Sequence, residues 1–168
     1  MSIVCATLSL EDLLMAGTMG TMNLYRNMVM ERSRDHDGFS HRKWRTRWGD
    51  LCFGNLGEIA VARTLSLPWT PSTGLYIKHG DIANKLEVRA TEHEDGHLLV
   101  YPSDPVDHPM LLVVGTYPHF VIAGGLSRVV HGKEKRWWRD DSRPPAWWVP
   151  QESLLPPEEV IEAAIFLL

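Results

Sequence analysis

Apolar residues recur at two different periods along this chain, and the change of period lays out its elements. Leu10, Leu13, Leu14, Met15, Met19, Met22, Leu24, Met28 and Met30 return at helical spacing behind Ser9, which stands in the place of an N-cap. They predict a helix over about residues 9–32, with Gly17 and Gly20 as weak points and the methionines as core filler or, less in keeping with their usual role, a soft partner-binding face. In Gly54–Leu65 the apolar Val61, Ala62 and Leu65 follow Glu58 at three, four and seven positions. This predicts a second helix with Glu58 on its core-facing stripe. From Lys85 the period becomes two. Leu86, Val88 and Ala90 alternate with Lys85, Glu87, Arg89 and Thr91, the pattern of a half-buried strand.

Turn chemistry separates these runs. Pro68, Pro71 and Gly74 close the second helix in a loop, and Glu94-Asp95-Gly96-His97 predicts a hairpin from the Lys85 strand to a second strand at Leu98–Tyr101. Met110–Val114 and His119–Ala123 read as apolar strands around Tyr117-Pro118, and Trp147–Gln151 as an anchoring segment. Pro157, Glu158 and Glu159 open a last helix, over about residues 157–167. Residues 1–8 carry no usable signal. The expected whole is one α/β (α+β) domain over residues 1–168, a small mixed central sheet of about four to five strands flanked by helices.

A formal net charge of −4 attracts no polyanion, so any nucleic-acid contact must rest on local patches. Two are present. Arg42, Lys43, Arg45 and Arg47 interleave with Trp44 and Trp48, and Lys133, Lys135 and Arg136 lie beside Trp137 and Trp138. Cations mixed with aromatic rings suit a phosphate backbone and its bases, although solvated loops share that composition. Cys5 and Cys52 have no metal-ligand spacing and suit a reducing cytoplasm. No export leader or bilayer-length apolar run is visible, so a soluble cytoplasmic protein with no membrane partner is expected.

Glu58 carries the chemical question. A carboxylate on a core-facing stripe is costly to desolvate without a partner. Asp81 precedes Glu87 by six residues, near enough for a tight bend to bring the two acids together, and a hard divalent cation would partner all three. An ordinary amphipathic strand with a solvated polar face explains the Lys85–Thr91 alternation equally well. His93 and His97 are the best-spaced histidines for zinc, but they lie across a turn.

The order Glu58 on a helix, then Asp81, then Glu87-Val88-Arg89 resembles the PD-(D/E)XK nuclease superfamily, the restriction-endonuclease-like fold, whose pattern is a helix acid, a strand Asp and Glu-x-Lys on the next strand. The run Gly57–Ala62, Asp81, Glu87-Val88-Arg89 and Trp148-Val149-Pro150-Gln151 is also similar to small uncharacterised proteins of bacteriophages, over about residues 40–151. The resemblance implies a nuclease dependent on Mg²⁺ or Mn²⁺, acting on nucleic acid, with DNA expected, in the cytoplasm of a phage host. It implies Glu58, Asp81 and Glu87 as metal ligands, the Val88 carbonyl as a fourth oxygen, and Asp81, Glu87, Arg89 and Lys85 as the catalytic set. The chain departs from the family at two positions. Arg89 stands where the family has lysine, and arginine keeps its charge, so it can orient or stabilise but not act as a general base. Lys85 and Lys78 are the candidates to stand in, and a metal-bound water can dispense with a side-chain base. Gly80 replaces the family's proline. The alternative is a catalytically inactive protein of the same fold that binds nucleic acid or a host protein, and a homodimer is open under either reading.

Overall fold

A computed structural model describes residues 4–32, 41–71, 81–83, 85–141 and 145–165, with the side chains of residues 30–32, 41–45 and 165, and that of Val4, left out. The helices are α1 (Leu10–Arg32), α2 (His41–Thr64) and α3 (Pro157–Ile165). The strands are β1 (Val4–Thr7), β2 (Glu87–Thr91), β3 (Leu98–Val100), β4 (Met110–Thr116), β5 (His119–Leu126), β6 (Trp138–Arg139) and β7 (Ala146–Val149). The protein is thus a mixed α+β chain. No helix among the described residues is long and apolar enough to cross a membrane.

Helix α1 starts at a reciprocal cap: Asp12 N–H donates to Ser9 Oγ at 3.3 Å while Ser9 N–H donates to Asp12 Oδ2 at 3.0 Å. Asp12 is only 3% exposed, and Arg63 at the end of α2 partners its charge at 2.7 Å. Gly20, a weak point on propensity alone, is a packing contact, since a Cβ there would lie 2.5 Å from Cys52 Sγ on α2. Met15 and Met22 do not fill the core as expected, whereas Met19 and Met28 are half-buried. Met15 and Met22 are exposed, together with Leu10, Leu14, Tyr25 and Val29, because α2 takes only the face of α1 that carries Ala16, Gly20 and Leu24.

Sheet order is β1-β5-β4-β2, with β2 parallel to β4 and the other pairs antiparallel. A second sheet of three strands runs β3-β7-β6. Helices α2 and α3 cover one face of the first sheet, burying Ile59, Val61, Leu86, Val88, Leu111, Phe120 and Val160. The other face meets the second sheet over Leu98, Val100, Met110, Leu112, Leu126 and Val149.

Three expectations are corrected. The hairpin does not form, because β2 pairs with β4 (Glu87↔Met110 through Thr91↔Val114) while β3 pairs with β7. Leu98 and Val100 belong to the inter-sheet core, so the 94–97 turn carries the chain from one sheet to the other. Residues 4–7 form a strand that lacks any local signal, made by pairing with β5. Trp147-Trp148-Val149 is the central strand of the second sheet.

Candidate active site at the sheet edge

Strand β2 starts at Glu87, two residues later than the alternation suggests. An Ile82↔Leu86 bridge closes a tight turn, with Ala83 in the left-handed region at φ 50°, and Lys85 sits in that turn. The turn places Asp81 at the outer edge of β2. There the Val88 N–H faces away from β4 and would be an orphan donor, and Asp81 Oδ2 accepts it at 2.8 Å. Leu86, Val88 and Ala90 pack toward the helices, as the alternation requires.

Glu58 reaches the same edge from α2. Gly57 makes this approach possible, since a Cβ there would come within 2.6 Å of Ala90 Cβ. Trp69, in the loop after α2, donates its indole N–H to Glu58 Oε2 at 2.8 Å. Glu87 is 8% exposed and meets His108 Nδ1 at 3.1 Å. Arg89 follows on that face of β2. Its guanidinium donates to Asp104 Oδ1 at 2.9 Å and to the Val88 carbonyl at 3.3 Å, and lies 5.6 Å from the centre of the Tyr101 ring. Its Nε is buried with no partner among the described residues.

Burial, and then the charge of Asp81, push the Glu58 carboxyl up from 4.5 to about 8, with Glu87 adding and the Trp69 N–H and Arg89 opposing. Burial raises Asp81 as well, against the Val88 N–H and Arg89. Burial and Asp81 raise Glu87, against His108 and Arg89. Asp81 therefore stands electrostatically between the other two acids.

A raised carboxyl pKa means that the folded state holds protons the unfolded chain has released, so the stability linked to Glu58 is complete below about 4.5 and lost as pH rises through about 8. In chelator, the melting temperature of wild type should fall relative to Glu58→Gln between pH 5 and 8.5. Parallel curves for the two proteins would refute the crowding of Glu58 by Asp81 and Glu87.

The structure brings Glu58, Asp81, Glu87 and Arg89 to one edge. Among the described residues, however, no group of three or more His, Cys, Asp and Glu side chains is gathered to enclose an ion. Each acid holds its own donor instead, and Glu87 lies on the face of β2 opposite the one α2 covers. Lys85 lines an apolar cleft with Leu65, Leu67 and Ile161. Of the first basic patch, Arg42, Lys43 and Arg45 lie outside the residues with described side chains, as does Lys78, while Arg47 is half-buried on α2. In the second patch, Lys133 sits over Trp147, Arg136 stacks on Trp137 and pairs with Glu134 at 2.8 Å, and Lys135 is exposed. Sequence reasoning missed Trp69, Asp104 and His108. Spacing could not have found them, because Trp69 comes from the loop after α2 while Asp104 and His108 come from the loop between β3 and β4; only the need of a desolvated acid for a donor pointed toward Trp69 and His108.

No protein-family model, curated protein or solved structure matches the chain.

Proposed function

We propose that this protein is a divalent-cation-dependent nuclease that hydrolyses phosphodiester bonds, with DNA the expected substrate. One observation carries the reading: a buried carboxylate, Glu87, and two half-buried ones, Glu58 and Asp81, each raised by loss of water around it, share one sheet edge with an arginine that acts on all of them. Stability alone does not favour such an arrangement, and groups shifted by burial and like charge mark functional sites. The donors are all oxygen, the kind a hard cation takes, but they are not gathered round one point, so Glu58, Asp81 and Glu87 would have to give up their separate donors to hold Mg²⁺ or Mn²⁺ together, with the Val88 carbonyl as a further oxygen. A bound cation supplies Lewis-acid stabilisation and a water of lowered pKa. Arg89 orients the phosphate and offsets its developing charge, and its unpartnered Nε is a donor in reserve. His108 fixes the Glu87 carboxylate, and Asp104 holds Arg89 in place.

The competing reading, an inactive binding protein, rests on Arg89 in the lysine's place and on acids that each hold a separate donor. Labelled single- and double-stranded DNA and RNA separate the two. Cleavage with Mg²⁺ or Mn²⁺, lost in chelator, is expected. Arg89→Lys should keep or raise the rate and Arg89→Ala should lose it. A folded protein that cuts none of the four polymers would defeat the nuclease reading.

A further inference from the structure

Beside the acid edge lies a cavity of about 390 Å³ lined by residues of both sheets, within the range of small-molecule sites (~300–1,000 Å³). Leu99 and Leu112 give it an apolar lining. Its walls are rings: Tyr101, and Trp148 against His97 with centroids 5.9 Å apart. Its rim carries His93, Asp95 and Arg89. Gln151 braces the loop that bears the histidines, its Nε2 donating to the carbonyls of Glu94 at 2.8 Å and Gly96 at 2.9 Å. The Trp148-Val149-Pro150-Gln151 run thus supplies both a wall and the clamp on the opposite loop. Trp148 is 38% exposed, although it sits on the central strand of its sheet.

Arg89 belongs to both places. It lines the cavity, and it lies two residues from Glu87 on the same face of β2. We infer that the cavity receives one unpaired nucleobase of the substrate, so that the protein acts on single-stranded or frayed nucleic acid; this rests on the nuclease reading above. A planar π-system is what a cavity lined by aromatic rings and leucines accepts, and the polar lining groups can meet the edge of a base. With Arg89 on the phosphate, the attached base lies one step away, at the cavity mouth. A base in a duplex would first have to leave its stack, at a cost that disfavours paired substrates.

The test is binding of a labelled 12-nucleotide single strand, measured by anisotropy with Ca²⁺ in place of Mg²⁺, alongside a blunt duplex of the same sequence. Trp148→Ala should weaken single-strand binding roughly 10–100-fold, with Trp148→Phe close to wild type and duplex binding weak and unchanged. One abasic nucleotide, moved along the strand, should reproduce the loss at a single position in wild type and add nothing in Trp148→Ala. Equal single-strand affinity for wild type and Trp148→Ala, or a preference for duplex, overturns the inference. The abasic scan decides the matter even if a variant fails to fold. Cleavage that ignores Trp148 removes the base pocket and leaves the nuclease. Trp148-dependent binding without cleavage keeps the pocket and removes the nuclease. No binding of either polymer removes the pocket, and the cleavage assay then decides the nuclease separately.

Discussion

Asp81→Asn should reduce cleavage by about 10³-fold or more while making the metal-free protein more stable at pH 8. The two effects share one cause. Asp81 raises both Glu58 and Glu87, so its charge is the one the other two acids resist most, after burial itself. Asparagine keeps an oxygen for the Val88 N–H, which spares the edge of β2. What disappears is a negative charge in a poorly solvated place, so a higher melting temperature at pH 8 is expected. A structural acid would behave in the opposite way, since neutralising it loses stability without a catalytic penalty. Thermal melts in chelator beside single-turnover cleavage read both signs. Full activity in Asp81→Asn, or a lower melting temperature at pH 8, would remove Asp81 from the site.

Gly57→Ala tests how the acids are brought together. The new Cβ would meet Ala90 Cβ at 2.6 Å, closer than carbon atoms tolerate, and neither partner is the far end of a flexible side chain. Overpacking of this kind costs roughly 1–3 kcal/mol and lifts α2 off β2, carrying Glu58 away from Asp81. Cleavage should fall about 10²-fold, since a 1 Å misplacement is enough. Ala90→Gly removes the clashing atom. The double variant Gly57→Ala with Ala90→Gly should therefore recover most of both losses, a coupling that urea unfolding and cleavage would each report. If the double variant is merely the sum of the two singles, the helix-to-strand contact does not set the position of Glu58.

Where local rules and burial agree, the sequence was readable. Ser9 could be named as a cap, Glu58 placed on the stripe of α2, and the acidic start of α3 located, because each depends on residues a few positions apart. The tight bend between Asp81 and Glu87 was legible for the same reason. Partner choice among strands was not. Leu98 and Val100 fit a hairpin with β2 as well as they fit the second sheet, and what separates these is the preference of β4, buried on both faces, for β2 as its parallel neighbour. Residues 4–7 gave no sign of β1, whose strand exists only because β5 offers an edge. The donors to the acids, Trp69 and His108, come from loops whose paths no period describes. Arg89 could be seen as a substitution, but its hold on Asp104 and its place at the cavity wall required coordinates.

The strand order β1-β5-β4-β2 also bears on the making of the protein. Strands β4 and β5 meet through a short turn and can zip together as soon as both have left the ribosome, whereas β2 must wait for β4 and β1 must wait for β5. During synthesis, then, α2 emerges long before the surface it will cover. Glu58 stays hydrated and ionised at its ordinary pKa, far from Asp81 and Glu87, until most of the chain exists. The acids are crowded together only after the hydrophobic contacts that overcome their repulsion are in place, so a nascent chain carries all three acids but no assembled site.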